Sequence, residues 1–370
     1  MRIVLTGGGT GGHLTPLVAV ADKLKAKLGS EANILYIGSG AEMEKKIMSE
    51  EGIPTKFVIS GKMRRYFSFQ NFIDFFKVPI GFVQSLWILL RFMPDVIFSK
   101  GGYVAVPIVL AGWIYRIPIM IHESDSAPGI ANQFLSKFAN RIAVAYPSAE
   151  EYFPKEKTAL VGNPIRFQVT QGDAKILRQE IGFTESRKTL LILGGSQGSR
   201  IINEAIVKIL PQLLQHFQII HQTGQEHYDN VLREAAFVGV KAGHNGYYAA
   251  PFMNANKLRD AFALSDLVIS RAGATFITEI AANGKPAILI PISESANDHQ
   301  RMNAYALAQI GAALVLEEAN LGEHILLEKI NHILNDNELQ MNMVEKIKTF
   351  YHPTAADVIA NGIIEIAEAN

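Results

Sequence analysis

The chain carries the same local pattern twice: a buried strand, a glycine-rich loop and a helix, in that order. The first copy runs from a strand at Ile3–Thr6 through the loop 7–12 into a helix with apolar residues on one face. The second begins near Thr189 and passes through the loop 194–198 into a helix over 201–214. Glycine lets backbone N–H groups approach an anion closely, and a helix N-terminus adds a favourable dipole. Each copy therefore predicts an anion-binding loop at the carboxyl end of a strand.

Strands and helices alternate along both halves, which is typical of parallel, doubly wound sheets. A domain boundary is expected near 161–164, because a turn dipeptide interrupts the alternation there. We expect an N-terminal domain over 1–162, a C-terminal domain over 163–350, and a final helical segment over 351–370 that could pack back on the first domain. Two such domains hold a ligand in the cleft between the carboxyl ends of their strands. The predicted strands are Ile3–Thr6, Ile34–Ile37, Val96–Ser99, Ile119–His122, Arg141–Val144, Leu190–Leu193, Phe217–Gln222, Gly246–Ala249, Leu267–Ser270, Ala287–Pro291 and Ala313–Leu316.

Composition excludes several classes of protein. Lys+Arg and Asp+Glu both number 35, so no global field favours nucleic acid as a partner. The chain has no cysteine, which excludes disulfides and thiolate metal sites and fits a reducing cytoplasm. The first residues predict a strand rather than a signal peptide, and polar residues or prolines break the apolar stretches 78–90 and 104–121. A soluble or peripheral protein is expected.

The first loop also matches a dinucleotide-binding spacing, through Gly7, Gly9 and Gly12. A nicotinamide enzyme needs an acidic residue for the ribose at the end of the second strand, and the nearest acid here is Glu42, beyond that strand. The loop 194–198 does not keep the spacing either. Hydride transfer is therefore disfavoured.

His13 closes the first loop at the N-terminal edge of a helix. The dipole there favours the neutral imidazole, which can accept a proton, so His13 is a candidate general base. The alternative is a histidine that caps the helix. The turn Ser99–Tyr103 follows another strand and either widens the anion site or simply turns the chain.

The segment His122–Asp125 should lie at the same edge of the first sheet, since it follows a strand. It lacks the helical histidine spacing of zinc enzymes, so a hydrogen-bonded polar cluster is favoured over a metal centre. No metal is expected.

Polar residues of the second half suit a nucleotide sugar. Ser196 can donate a hydroxyl hydrogen bond to a phosphate, and 271–275 opens a helix that contains Glu279. Glu279 could accept from two vicinal ribose hydroxyls; the alternative is a solvated helix charge. The cluster 298–303 could bind sugar hydroxyls, and the hydrolase elbow and P-loop lysine motifs are missing from the sequence.

The stretch Phe72–Phe92 is rich in bulky apolar residues and has basic flanks, among them Lys62, Arg64, Arg65 and Arg91. This pattern fits a helix that lies on an anionic membrane surface. The alternative is a thoroughly buried core helix.

Several segments, taken together and in order, carry a family resemblance. They are Thr6–His13, Ser99–Tyr103, His122–Asp125, Gly162–Arg166, Gly194–Gly198, Ser270–Thr275 and Asp298–Asn303. The chain resembles the MurG family of bacterial cell-wall glycosyltransferases over almost its whole length. The resemblance implies an α/β protein of GT-B fold, with two Rossmann-like domains whose parallel sheets face each other across a cleft. It implies transfer of N-acetylglucosamine from UDP-N-acetylglucosamine to undecaprenyl-linked lipid I, giving lipid II, by a peripheral protein on the cytoplasmic face of the cell membrane.

The resemblance also implies roles for single residues. His13 would take the proton of the N-acetylmuramyl 4-hydroxyl as it attacks the donor with inversion, with Glu123 the second candidate; no metal or other cofactor is implied. In substrate binding, Thr10, Gly11 and Gly12 would line the donor-sugar and acceptor-diphosphate side. Arg166 and Ser196 would contact the donor diphosphate, and the Met253 backbone would read uracil. Ala274 and Thr275 would offer amides, Glu279 would bind the ribose, Gln300 the sugar hydroxyls, and Asp125 or Asn132 the donor sugar.

This sequence departs from the family at two of these segments. Many relatives have Asn where Asp125 stands, and a smaller polar residue where Phe276 stands. The alternatives kept open are a UDP-sugar transferase with another acceptor, a UDP-sugar epimerase, and a nucleotide-binding module without catalysis.

Overall fold

The structure is a computed structural model that describes residues 1–8, 11–61, 69–195, 197–293 and 298–369, and only the backbone of 69–76. The chain divides into two compact units. Unit 1 comprises Met1–Arg166 with His352–Asn370, and unit 2 comprises Phe167–Tyr351.

Unit 1 is built on a parallel sheet. Its strands are β1 (Arg2–Thr6), β2 (Asn33–Gly38), β3 (Thr55–Phe57), β4 (Val96–Ser99), β5 (Ile119–Glu123), β6 (Arg141–Val144) and β7 (Thr158–Leu160). Among the described residues they form one seven-stranded sheet in the order β3-β2-β1-β4-β5-β6-β7. The strands predicted from the alternation are confirmed, whereas the two edge strands β3 and β7 were not predicted. Each has three residues, which is too short for a recognisable apolar period.

Helices cover the faces of this sheet. They are α1 (Gly11–Leu28), α2 (Glu42–Glu50), α3 (Phe69–Phe92), α4 (Ala105–Ile114) and α5 (Ile130–Leu135). The apolar face predicted for the first helix is confirmed, because Leu17, Val20 and Leu24 lie in the core of the unit. Nowhere in the part of the chain that the structure describes does a helix combine the length and apolarity needed to cross a bilayer.

Unit 2 repeats the design. Its strands are β8 (Thr189–Leu193), β9 (Gln218–Gln222), β10 (Tyr247–Ala250), β11 (Leu267–Ser270), β12 (Ala287–Leu289) and β13 (Leu314–Val315). In the described part of the unit they form a six-stranded parallel sheet in the order β10-β9-β8-β11-β12-β13. Its helices are α6 (Ala174–Ile181), α7 (Arg200–His216), α8 (Tyr228–Phe237), α9 (Ala255–Leu264), α10 (Ala274–Ala282), α11 (His299–Gln309), α12 (Glu323–Asn335) and α13 (Asn337–Lys348).

The last helix, α14 (Ala355–Glu368), belongs to unit 1. Ile359 and Ile363 join the core of that unit. Asp357 accepts ion pairs from Lys23 at 2.7 Å and Lys27 at 3.4 Å, both on α1. The chain therefore returns to the first sheet after it has completed the second.

Strand register brings the glycine loops and polar segments of each unit to one edge. In unit 1, Thr6 pairs with Ser99, and Ser99 pairs with Ile121, so the residues that follow these strands are neighbours. In unit 2, Leu193 is flanked by Gln222 and Ser270 in the same way. Each unit therefore gathers its candidate site residues at the carboxyl ends of its central strands.

Candidate active site

Two glycine turns meet at the carboxyl edge of unit 1. A Cβ on Gly7 would lie 2.8 Å from the Lys100 Cβ, and a Cβ on Gly102 would lie 2.9 Å from the Gly8 carbonyl oxygen. Gly101 and Gly102 also adopt φ values of 81° and 82°, which favour glycine. Because neither turn has room for a side chain at these positions, backbone forms this edge. Gly9 and Thr10 lie outside the described residues.

His13 stands in the first turn of α1, two residues after Gly11. Its Nδ1 lies 3.3 Å from the Lys100 carbonyl oxygen. A carbonyl oxygen accepts only, so Nδ1 carries the proton, and the neutral ring has its lone pair on Nε2. His13 is half-buried, and Gly12 beside it is exposed. The ring therefore has the protonation pattern of a general base that acts through Nε2.

Lys100 and His122 form a fully buried pair behind His13. The Lys100 Nζ lies 2.6 Å from His122 Nδ1, and His122 Nε2 lies 2.9 Å from the Gly162 carbonyl oxygen. Burial, together with the Lys100 charge, lowers the pKa of His122 well below its usual range. Both ring nitrogens of His122 are thus engaged in hydrogen bonds within a polar cluster.

Glu123 holds the loop that follows β5. Its carboxylate accepts from the Asp125 amide at 3.0 Å, the Gly129 amide at 3.1 Å and Asn132 Nδ2 at 3.0 Å. Burial, and then the Asp125 charge, raise the pKa of Glu123. Asn132 also donates to the His122 carbonyl at 3.1 Å, and its Oδ1 is buried without a hydrogen-bond partner. Glu123 and Asn132 therefore shape the site through its backbone, and Asp125 is half-buried at its border.

Arg166 ends unit 1. Its guanidinium pairs with Glu51 at 2.9 Å, and both side chains are about one quarter exposed. The residue predicted to contact a donor diphosphate thus has a carboxylate partner within its own unit.

The second glycine loop follows β8 and leads into α7. Gly195 and Gly198 adopt φ values of 98° and 85°, and a Cβ on Gly198 would overlap the Thr223 carbonyl oxygen. Ser199 caps α7, since its Oγ accepts from the Ile202 amide at 3.4 Å. The loop therefore directs a helix N-terminus to the carboxyl edge of unit 2, where an anion is favoured. Ser196 lies outside the described residues.

Gln222, at the end of β9, joins this loop to the segment after β10. Its Nε2 donates to the Gly195 carbonyl at 3.4 Å, and its Oε1 accepts from the Met253 amide at 2.9 Å. Gln222 and Met253 are both buried. The Met253 amide therefore already donates a hydrogen bond within the protein. A backbone contact of Met253 to a nucleobase would have to use its carbonyl oxygen.

Arg271 organises the opposite side of the loop from a buried position. It donates to Ser199 Oγ at 2.6 Å and pairs with Glu318 at 2.6 Å. It also donates to the carbonyls of Ile290 at 3.2 Å and Pro291 at 3.3 Å. Burial alone would raise the pKa of Glu318, but hydrogen bonds from Ser293 and the Arg271 charge outweigh it, and the pKa is lowered. One guanidinium thereby links the α7 cap, the end of β12 and the segment that follows it.

Two more segments reach the same edge of unit 2. Helix α10 begins at Ala274, and Glu279 on this helix is only 5% exposed, so its interpretation as a solvated charge is wrong. Gln300, in the first turn of α11, accepts from the Ile292 amide at 3.2 Å. Thr275 is half-buried beside Ala274.

Each unit thus gathers its own set of predicted site residues, but sequence reasoning missed several supporting ones. Gln222 could have been found, because it follows a strand like the other site residues. The sequence predicts Lys100 only as part of a turn, and the pairing of Arg271 with Glu318 joins positions far apart in the sequence. No local pattern signals either of these.

Comparison with known proteins agrees with this geometry. Residues 3–144 match the N-terminal domain of glycosyltransferase family 28, and residues 189–359 match its C-terminal domain. A Clostridium perfringens protein named UDP-N-acetylglucosamine--N-acetylmuramyl-(pentapeptide) pyrophosphoryl-undecaprenol N-acetylglucosamine transferase is 41% identical over 348 residues, 94% of each chain. A Clostridium botulinum protein of the same name is 40% identical and covers 94% of this chain and 95% of its own.

Solved structures agree as well. Acinetobacter baumannii MurG superimposes with a TM-score of 0.75 at 26% identity, over 98% of this chain and 99% of its own. A Neisseria meningitidis UDP-GlcNAc 2-epimerase superimposes with a TM-score of 0.70 at 13% identity over the whole of both chains, which shows a shared fold alone. The GT-B fold expected from the sequence is confirmed. The chain belongs to glycosyltransferase family 28 and, within it, to the MurG family.

Proposed function

We propose that this protein transfers N-acetylglucosamine from UDP-N-acetylglucosamine to the N-acetylmuramyl 4-hydroxyl of lipid I, giving lipid II for peptidoglycan synthesis. One observation carries the proposal beyond family membership: the His13 ring donates through Nδ1 to the Lys100 carbonyl, which places its lone pair on Nε2. A transferase that inverts the anomeric carbon needs one such base.

In this mechanism the acceptor 4-hydroxyl loses its proton to His13 Nε2 while its oxygen attacks the anomeric carbon of the donor. The new C–O bond forms as the bond from that carbon to the UDP oxygen breaks, and the α-linked donor gives a β-linked product. Departing UDP carries the negative charge, which helix N-termini stabilise. Glu123 is the weaker candidate for the base, because its carboxylate already accepts three hydrogen bonds from its own loop.

Substrate roles follow the division of the chain. Unit 1 is the proposed acceptor-binding domain, with Thr10, Gly11 and Gly12 on the donor-sugar and acceptor-diphosphate side and Asp125 or Asn132 at the donor sugar. Unit 2 is the proposed donor-binding domain. The N-terminus of α7, the Gln222–Met253 bond and the buried Glu279 support this assignment. The proposed donor contacts are Ser196 and Arg166 at the diphosphate, Ala274 and Thr275 through their amides, the Met253 backbone at uracil, Glu279 at the ribose and Gln300 at the sugar.

Glu279→Gln tests the ribose contact. A carboxylate accepts from two vicinal hydroxyls and an amide offers one acceptor oxygen, so we expect UDP to bind about tenfold more weakly, the loss of one charged hydrogen bond. Calorimetric titration with UDP measures this, and a uridine diphosphate without ribose hydroxyls should bind both proteins alike. Glu323→Gln, an exposed carboxylate in the same unit, is the matched control. Equal UDP affinity of Glu279→Gln and the wild type would exclude the ribose role.

The proposed membrane contact rests on α3 and α4. Gly81, Ser85 and Leu89 are buried and form one face of α3. Other apolar residues of the helix, such as Trp87, are at least half exposed, so the interpretation of α3 as a thoroughly buried helix is wrong. We use the name apolar surface for the exposed apolar residues of α3 together with those at the end of α4, which packs against α3. Its members are Ile80, Val83, Trp87, Leu90, Trp113 and Ile114, each at least half exposed.

A basic group borders this apolar surface. The Arg91 guanidinium lies 4.5 Å from the centre of the Trp87 ring. Exposed apolar side chains next to cations match the interface between the headgroups and acyl chains of an anionic bilayer. This supports a peripheral position on a membrane; the side that we propose is the cytoplasmic face, where lipid I would be reached. Lys62, Arg64 and Arg65 and the side chains of 72–76, which also belong to this prediction, lie outside the described residues.

Replacing Val83, Trp87 and Leu90 together with serine is expected to weaken binding to phosphatidylglycerol vesicles at least about tenfold, because three apolar side chains no longer enter the bilayer. Vesicle sedimentation measures the effect. Phe237→Ser is the control, since Phe237 is 94% exposed but lies on unit 2. Unchanged binding of the folded triple variant, or an equal loss in the control, would exclude the apolar surface as the membrane contact.

The proposed activity is tested by incubating the protein and labelled UDP-N-acetylglucosamine with and without a lipid I analogue. UDP release that depends on the analogue is the expected result. Release without any acceptor, or conversion of the donor sugar to its 2-epimer, would instead favour the epimerase alternative. UDP binding without turnover would leave only a nucleotide-binding module.

A further inference from the structure

A single chain of hydrogen bonds runs behind the proposed base. Gly162 O accepts from His122 Nε2 at 2.9 Å, His122 Nδ1 faces Lys100 Nζ at 2.6 Å, and the Lys100 carbonyl faces His13 Nδ1 at 3.3 Å. Carbonyl oxygens accept only, so His122 must donate to Gly162 from Nε2 and accept from Lys100 at Nδ1, and one arrangement of protons satisfies every link. His122 is protonated on Nε2 and accepts at Nδ1, and His13 is protonated on Nδ1.

We propose that Lys100 is the positioning residue for His13: its carbonyl holds the imidazole in the Nδ1–H tautomer, and its buried ammonium group anchors that carbonyl through His122. This inference rests on the proposed role of His13 as the base. It assigns to a buried lysine a task in catalysis without contact to either substrate.

The backbone around Lys100 explains why an anchor is needed. Two glycines with positive φ, Gly101 and Gly102, follow the residue directly, and glycine restricts the chain least. The Lys100 amide donates to the Thr6 carbonyl at 2.8 Å, which fixes the start of the turn. The side chain fixes it from the other side, because Lys100 is 1% exposed and His122 is completely buried.

The charge of Lys100 is balanced within the same cluster. Burial lowers the pKa of Lys100 to about 8, and the carboxylates of Glu123 and Asp125 oppose this effect. Both the ammonium and the neutral amine retain N–H donors, so the bond to His122 Nδ1 persists in either state. The anchor therefore acts through hydrogen bonding, and His122 stays neutral because its own pKa is lowered well below the usual range.

The test is nitrogen-15 NMR of the full chain labelled at histidine, comparing the wild type with Lys100→Met. Methionine keeps the length of the apolar stem and removes the donor. We expect the wild type to show His13 as Nδ1–H and His122 as Nε2–H, and the variant to show His13 as a mixture of tautomers. Lys157→Met is the matched control. The Lys157 Nζ also donates to carbonyls in unit 1, those of Ser136 at 2.7 Å and Ala139 at 3.0 Å, but it is not part of the hydrogen-bond chain behind His13.

Kinetics give the second readout. Lys100→Met should lower kcat about tenfold, as expected for a misplaced base, with the KM for UDP-N-acetylglucosamine unchanged. In a His13→Ala background the same substitution should cost nothing more, since it acts through His13. A purely structural role would lower kcat equally in both backgrounds.

A single Nδ1–H tautomer of His13 in Lys100→Met, or an Nε2–H tautomer in the wild type, would overturn the inference. If Lys100→Met does not fold, His122→Gln tests the same link, because glutamine keeps a donor for Gly162 and moves the acceptor away from Lys100 Nζ. The tautomer measurement needs no substrate. A wild type that failed to transfer sugar would therefore contradict the proposed function without deciding the role of Lys100.

Discussion

His13→Ala is expected to lower kcat by about 10²- to 10⁴-fold, the range that a positioned general base contributes. The reason is the loss of the lone pair on Nε2. In the wild type the Lys100 carbonyl keeps the proton on Nδ1, so the lone pair is on Nε2. Initial rates of UDP release with a lipid I analogue measure the effect. Binding of UDP should not change, because the proposed contacts to the UDP part of the donor, other than that of Arg166, belong to unit 2.

Glu123→Gln separates the two candidates for the base. Because the Glu123 carboxylate holds its own loop through three hydrogen bonds, this variant should lose stability as well as activity. His13→Ala should lose activity with little change in the unfolding temperature. Near-normal kcat in a folded His13→Ala protein would remove His13 from the mechanism and favour Glu123.

The largest expected effect on stability is that of Arg271→Met. The substitution leaves the Glu318 carboxylate, 11% exposed, without its ion pair and removes the donor to Ser199 Oγ and to two strand-end carbonyls. Breaking a buried pair from one side costs about 3–5 kcal/mol. Urea unfolding of the full chain should show this loss in the transition of unit 2, together with weaker UDP binding.

Arg301→Met is the matched control for this effect. Arg301 also pairs with carboxylates, Glu317 at 3.1 Å and Asp298 at 3.3 Å, but its side chain is 42% exposed. Exposed pairs contribute about 0–1 kcal/mol, so the control should unfold nearly as the wild type does. Equal destabilisation by the two substitutions would contradict the importance assigned to the buried pair.

The fold was predictable from the sequence wherever a strand or helix was long enough to show its pattern of apolar residues. The strands β1, β4, β5, β8 and β11, which end at the candidate sites, are continuous apolar runs followed by glycine or polar residues, and that arrangement predicts a buried parallel sheet. The edge strands β3 and β7 could not be predicted, because three residues are too few to show an alternation of apolar and polar side chains.

The site was predictable in its residue types but not in its contacts. Sequence placed His13 and Glu123 at the ends of a helix and a strand and Glu279 within a helix, yet their burial depends on which elements pack together. Glu279 is inside because of the fold of unit 2, although its helix position alone favoured solvent. Lys100 shows the limit most clearly, because a lysine beside two glycines predicts an exposed turn, and only the pairing of β4 with β5 brings its Nζ to His122.

The central claim, an inverting transfer of sugar by this protein, is tested most directly by the anomeric configuration of its product. The measurement is proton NMR of the glycan formed from UDP-N-acetylglucosamine and a lipid I analogue. We predict one added N-acetylglucosamine in β-linkage to the 4-hydroxyl for each UDP released. An α-linked product, or UDP release with the acceptor left unmodified, would contradict the account.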